Sequence, residues 1–208
     1  MIEDLKHIEQ TVLMDLLRNP SIWNTLDVNY HHPRVERLWT QIVDARLMLH
    51  VIHPCKPEEA LYHPHPWPSA MHVLSGKYEM GLGTRHSPGF VELNVLRQDS
   101  SDWEKHKDKV SKALKVVGED ENKHTVVVRE IAKVEMTGNN YYEMLDPLGW
   151  HYVRPIDGVC VSLMLIGKPW DVKDDQDIPK KWGKLPELTE KRKLEMLEMF
   201  KNRLFYNI

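Results

Sequence analysis

Tyr62-His63-Pro64-His65-Pro66-Trp67-Pro68-Ser69-Ala70-Met71-His72-Val73-Leu74-Ser75-Gly76-Lys77-Tyr78 is the stretch that decides how this chain is read. In an extended backbone side chains alternate with period two, so His63 and His65 leave the chain on the same side. Two imidazoles on one side can serve one metal ion. Pro64, Pro66 and Pro68 lack the backbone donor of a regular central strand, yet they permit an extended conformation. The run Met71 to Ser75 then reads as a short strand, closed at Gly76 by a tight turn. A histidine pair followed by a strand and a glycine turn is the layout of a metal site on a β scaffold.

Working outward, residues 62–99 are rich in strand signals, with candidates at 70–75, 77–83 and 90–97. Leu47, Met48, Leu49, Val51 and Ile52 form an earlier strand-like run that stops at Pro54. Further strands are expected over Thr125–Ile131, Trp150–Val153 and Val159–Ile166, with a turn at Gly138-Asn139-Asn140. Helices are expected at the ends. Leu5, Ile8, Val12, Leu13 and Leu16 follow helical spacing, and Asn19-Pro20-Ser21 ends that element. A second helix is expected from Pro33, with Val35, Leu38, Trp39 and Ile42 on one face. Trp103, Val110, Leu114 and Val117 suggest an inserted helix over 101–117. Leu194, Leu197, Phe200 and Leu204 line a helix that starts near Thr189. The expected division is a helical segment over 1–44, a β-barrel over 45–168 and a C-terminal extension with a helix over 169–208. Many short strands with helical ends favour an all-β barrel or jelly roll over a parallel α/β sheet.

A metal site on a barrel draws ligands from strands distant in sequence. Asp146-Pro147-Leu148-Gly149-Trp150-His151 supplies such a strand, a Pro-x-Gly turn placing His151 at its start. His151 is the natural third ligand.

These two segments resemble the two sequence motifs of the cupin superfamily. The first motif there is His-x-His, three or four residues, Glu, six residues, Gly; His63, His65, Ser69 and Gly76 keep every spacing. Ser69 replaces the glutamate. The second motif is Pro-x-Gly, two residues, His, three residues, Asn. Here Pro147, Gly149 and His151 are one residue short, and Pro155 stands in place of Asn. The resemblance covers roughly residues 45–168. It implies a cupin-type double-stranded β-helix with N- and C-terminal helices and one inserted helix. It also implies one divalent metal ion per chain on His63, His65 and His151, iron first, with zinc, nickel or manganese as alternatives. The implied activity is that of a three-histidine oxygenase, a dioxygenase or hydroxylase acting on a small organic molecule, and barrels of this type commonly pair as homodimers. A metal-dependent isomerase or hydrolase is the neighbouring reading. A non-catalytic binding or structural protein is the other.

Two further residues are catalytic candidates. Tyr78 shares the parity of Met80 and Leu82 and is expected inside the barrel, where its phenol could reach a substrate. His72 falls on the opposite side from Ser69, Met71 and Val73, so only a bulge would bring it in as a replacement for the missing carboxylate. Glu79 is expected to point outward, and Arg154 to turn away from His151 into a salt bridge. Trp67 and Trp150 are candidate pocket walls. His50, His53, His86 and His124 have no spacing that recommends them.

Composition narrows the classes. With 208 residues the chain buries roughly 70% of its unfolded surface and needs no staple to fold. Its 41% hydrophobic and 28% charged residues are those of an ordinary globular protein. A net charge of −3 supplies no field for nucleic acid or anionic membrane. The Lys105–Lys115 run, interrupted by Asp108, reads as a solvated face. Cys55 and Cys160 have no paired spacing and read as reduced thiols. No apolar run approaches a membrane span, and the acidic start lacks a signal-peptide pattern, so the expected address is cytoplasmic. No phosphate-binding glycine loop or nucleophile elbow is present.

Overall fold

The computed structural model describes residues 1–29, 32–65, 67–85, 128–146, 149–170 and 186–206. The expected strand at 90–97, the inserted helix at 101–117 and the Lys105–Lys115 run lie outside them. Among the described residues, two N-terminal helices, α1 (Ile2–Thr11) and α2 (Leu13–Arg18), and a C-terminal helix, α3 (Glu190–Tyr206), flank nine strands. The strands are β1 (Asn24–Val28), β2 (Val35–Ile42), β3 (Ala45–Ile52), β4 (Ser69–Ser75), β5 (Lys77–Arg85), β6 (Val128–Thr137), β7 (Tyr141–Met144), β8 (Trp150–Pro155) and β9 (Cys160–Ile166).

All strand pairs are antiparallel. One sheet has the order β1-β2-β3-β9-β4-β7 and the other β6-β5-β8. An isolated antiparallel bridge joins His63 to His151 and adds the histidine segment to the free side of β8. With β3 counted first, that segment second and β4 to β9 third to eighth, the sheets read 1-8-3-6 and 2-7-4-5. That is the strand order of a jelly roll, two Greek keys folded face to face. The all-β core with helices at both ends is as the sequence led us to expect.

Gly76 turns the chain from one sheet to the other. Its φ is +77°, and a Cβ there would stand 2.7 Å from the Val159 carbonyl oxygen, which leaves room for hydrogen alone.

The central strands β3, β9 and β4 of the larger sheet are buried on both faces. Its outer face carries Leu38, Leu47, Leu49, Val51, Ala70, Leu74, Val161, Leu163 and Leu165 against Leu5, Leu13 and Leu17 of the N-terminal helices and Met196, Leu197 and Phe200 of α3. Its inner face meets the smaller sheet through Ile52, Val73, Cys160, Tyr78 and Met80, and through a methionine group of Met48, Met71 and Met164. α3 is further tied down at Glu36. The Arg192 guanidinium donates to both carboxylate oxygens, at 2.9 and 2.6 Å, and His53 Nε2 lies 2.9 Å away. Burial pushes the Glu36 carboxyl up, but its bonds to Arg192 and His53 outweigh this and hold it below the usual range.

The helix expected from Pro33 is a strand. Val35, Leu38, Trp39 and Ile42 do have helical spacing, but Thr40 and Leu38 pack toward the helices while Val35 and Trp39 pack inward. Burial on both faces erases the alternation that would have marked β2. The β-branched and aromatic content of the segment suits a strand. At the C-terminus, Met196 takes the buried position and Leu194, expected on the apolar face, is exposed. Cys55 and Cys160 are both free, and burial pushes each thiol up to about 12. Among the described residues no helix is long and apolar enough to cross a membrane.

Candidate metal centre

His63 and His151 are opposite each other in the bridge. The His63 amide donates to the His151 carbonyl at 2.9 Å, and the His151 amide donates to the His63 carbonyl at 3.1 Å. Directly paired residues project to one face, and His65, two positions on, joins them. The three rings form a nearly equilateral group, with centroids 5.0 Å apart for His63–His65, 4.8 Å for His63–His151 and 4.9 Å for His65–His151. One nitrogen from each lies within 4.8 Å of the others. Imidazole nitrogens bound at 2.0–2.1 Å to one tetrahedral ion lie roughly 3.3 Å apart, so an ion would have to draw the rings closer together.

The tautomers are set by the backbone. His63 Nδ1 lies 3.0 Å from the Leu61 carbonyl and His151 Nδ1 lies 3.3 Å from the Gly149 carbonyl. A carbonyl oxygen only accepts, so each Nδ1 carries the proton and each Nε2 keeps its lone pair. Burial of the rings holds all three in the neutral form. It lowers His63, drives His65 well below its ordinary value with help from His151 and His63, and pushes His151 down to about 3. Deprotonated nitrogens with anchored second nitrogens are the donor set a metal ion takes.

Around the triad, Trp67 stacks on His65 with centroids 5.6 Å apart and packs against Met48, Met71, Met164 and Ile166. The Trp67 Nε1 is buried without a hydrogen-bond partner. Trp150, next to His151, projects to the other face. There Tyr62 and Tyr152 meet edge to face, the Tyr152 hydroxyl donates to Glu79 at 2.6 Å, and Arg154 pairs with Glu79 at 3.4 Å. Glu79 thus points away from the triad, and Arg154 turns from His151 into the expected salt bridge.

Ser69 is fully buried, and its hydroxyl has no hydrogen-bond partner. Among the described residues the cluster contains no carboxylate.

The two catalytic candidates lie elsewhere. Tyr78 is buried in the interior, but it pairs with Pro155, while His151 pairs with Leu82 four positions along β5. Four residues of strand span about 13 Å. The Tyr78 hydroxyl bonds instead to the Tyr142 hydroxyl. His72 sits on the helix-facing side of β4, stacked on Tyr141 at 3.9 Å, and its Nδ1 donates to Glu9 at 3.0 Å. The register shift in β4 falls between Val73 and Ser75, after His72, so nothing rotates it inward.

The structure adds residues that the spacing of the sequence had passed over. His50 and Arg37 are opposite each other on β3 and β2, and His50 is opposite Ser162 on β9. All three share the inner parity of Met48 and Met164. The only local signal for His50 is that it interrupts the apolar run Leu47-Met48-Leu49, and no local signal marks Ser162.

No protein-family model matches the chain. No curated protein matches it either. Among solved structures, a hydroxypropylphosphonic acid epoxidase from S. wedmorenis aligns at 11% identity and TM-score 0.41, over 72% of this chain and 57% of that one. The Fe(II) form of HppE in complex with substrate aligns at 9% identity and TM-score 0.42, over 72% and 58%. A conserved Streptococcus pyogenes protein of unknown function aligns at 11% identity and TM-score 0.34, over 65% and 74%. The chain thus spans a little under three fifths of the length of the epoxidase. At these TM-scores the likenesses carry no argument about activity, and the fold rests on its own strand order.

Proposed function

We propose that this chain is a cupin-superfamily protein that binds one divalent metal ion through the Nε2 atoms of His63, His65 and His151. On this reading it is an oxygenase-type enzyme, a dioxygenase or hydroxylase acting on a small organic molecule. The observation that carries the proposal is the triad itself. Three neutral imidazoles, His151 buried and His63 and His65 half-buried, converge from two segments far apart in sequence, and two of them have their second nitrogen fixed by a carbonyl. When bound, the ion would supply a Lewis acid, or a redox centre if it is iron.

The chain's own contribution is arrangement. Leu61 and Gly149 orient two ligands, and Trp67 backs the third. Met48, Met71 and Met164 line the adjoining interior with flexible apolar surface that suits a small organic body. Tyr78 bonds to Tyr142 and His72 to Glu9, so this reading gives neither of them a role at the triad.

A second reading follows from the missing carboxylate. Three neutral ligands leave the full charge on the ion, which suits a catalytic zinc and hydrolytic or isomerase chemistry. Anaerobic loading with Fe(II) and, separately, Zn(II), followed by elemental analysis and oxygen-uptake assays across small organic acids, tests both. Oxygen uptake with iron alone supports the oxygenase. Turnover without oxygen uptake supports the zinc reading, and failure to hold either metal stoichiometrically overturns both.

A further inference from the structure

Where the histidine segment crosses to the larger sheet, two buried hydrogen-bond donors are left over beside the triad. Trp67 stacks on His65, with centroids 5.6 Å apart, and Ser69 opens β4 two positions later. Met71 and Val73 share the parity of Ser69 and pack in the interior, whereas Ala70 and His72 turn to the helices. The Ser69 side chain therefore points into the barrel. It is 0% exposed, and among the described residues neither its hydroxyl nor the buried Trp67 Nε1 has a hydrogen-bond partner. Both groups border the same side chains. Trp67 packs against Met71 and Ile166, while Ser69 is opposite Ile166 on β9 and two positions from Met71. Buried polar atoms in native interiors find partners, so two orphaned donors at one corner mark a place that a ligand fills. His50 Nε2 and Ser162 Oγ are also unpartnered, but of these groups the indole is the one stacked on a triad ring.

We infer that the substrate is a small uncharged ketone whose carbonyl oxygen accepts hydrogen bonds from Trp67 Nε1 and the Ser69 hydroxyl. An indole nitrogen only donates, and a carbonyl oxygen has two lone pairs to take both protons. An alcohol brings a third proton, and one of the three would stay unpaired. A carboxylate would bring a charge among Met48, Met71, Met164 and Ile166, none of which can balance it. The same side chains suit the carbon body of a ketone. A carbonyl held here adjoins the triad, because the indole that binds it lies on His65. The inference narrows the small organic molecule of the metal-enzyme reading, and rests on that reading only for the triad being the reacting centre.

The test is NMR titration of the isotope-labelled full chain, metal-free and Zn(II)-loaded. The probes are acetone, 2-butanone and cyclohexanone. Each is paired with its alcohol and with the carboxylate of similar shape: acetate, propionate or cyclohexanecarboxylate. The indole resonance lost in Trp67→Phe is expected to move downfield as at least one ketone binds. In metal-free protein that ketone is expected to bind about fivefold tighter than its alcohol and at least about tenfold tighter than its carboxylate. Ser69→Ala and Trp67→Phe are each expected to weaken it by about 5-fold while Zn(II) stoichiometry stays intact. If Trp67→Phe fails to fold, through-bond assignment identifies the indole resonance and Ser69→Ala carries the affinity comparison. The inference is overturned if no ketone shifts that resonance, if the alcohol or carboxylate binds metal-free protein as tightly as its ketone, or if folded Ser69→Ala binds the ketone unchanged. Ketone binding in a protein that holds no metal would instead sink the metal reading and leave this one standing. Zn(II) held at the triad with no ketone bound does the reverse.

Discussion

His63 and His151 exchange both of their backbone hydrogen bonds across a single rung, and that rung fixes two imidazoles on one face of the smaller sheet. His65 follows by parity. The side to which the three rings project is therefore set by backbone pairing. The protein purified without a tag should carry about one equivalent of metal per chain, and His63→Ala, His65→Ala or His151→Ala should each reduce it to background. Elemental analysis of the four proteins checks this.

His72→Gln and Tyr78→Phe should leave metal content unchanged, because the first faces α1 and the second lies about 13 Å along β5 from the triad. Both should instead lower the urea midpoint, since each removes a buried partner, of Glu9 in one case and Tyr142 in the other. A drop in metal content with either variant would contradict the placement of the site.

His50 makes stability fall with acid. Its folded pKa lies well below 6.5, first because of burial and then because of the Arg37 charge. Between 6.5 and that lower value the unfolded chain binds the proton and the folded chain does not, so unfolding gains as pH drops. The contribution is fully present above about pH 6.5 and is lost below it at about 1.4 kcal/mol per pH unit. Urea unfolding of metal-free protein at pH 7, 6 and 5, compared with His50→Gln, should show a shallower decline in the variant. Parallel slopes would refute the assignment.

Tyr152 lies over Gly81, where an added Cβ would stand 2.0 Å from the ring. Gly81→Ala should displace that ring from Tyr62 and Glu79 and cost about 1–3 kcal/mol, the range for overpacking a tight contact. Denaturant midpoints and near-ultraviolet circular dichroism report the two effects.

Arg192→Ala should loosen α3. Glu36 is only 3% exposed and would keep His53 but lose its bidentate partner. Breaking a fully buried pair costs about 3–5 kcal/mol, and with Arg192 partly exposed roughly 2–3 kcal/mol is expected. Thermal unfolding measures it, and limited proteolysis should cut first within 186–206.

Much of the site could be read because its rules are local. Parity put His63 and His65 together, and the Pro-x-Gly turn pointed to His151. Parity also turned His72 away. The end helices showed through their spacing, though Leu194 and Met196 exchanged places. β2 hid because both of its faces are buried, and the four-residue β7 lacks a run long enough to show a period. Arg37, His50 and Ser162 could not be found at all, since they meet only through cross-strand register, which no stretch of one strand encodes.

Pro64 sits between the two histidines at a position whose amide would face away from β8, because residues on either side of a bonded pair point outward. No rung is lost to the proline. The outward rim of that sheet instead lacks a donor where a neighbouring chain would seek one. The residue that breaks regular pairing in this segment thus also withholds a hydrogen bond from any strand that would add beside it.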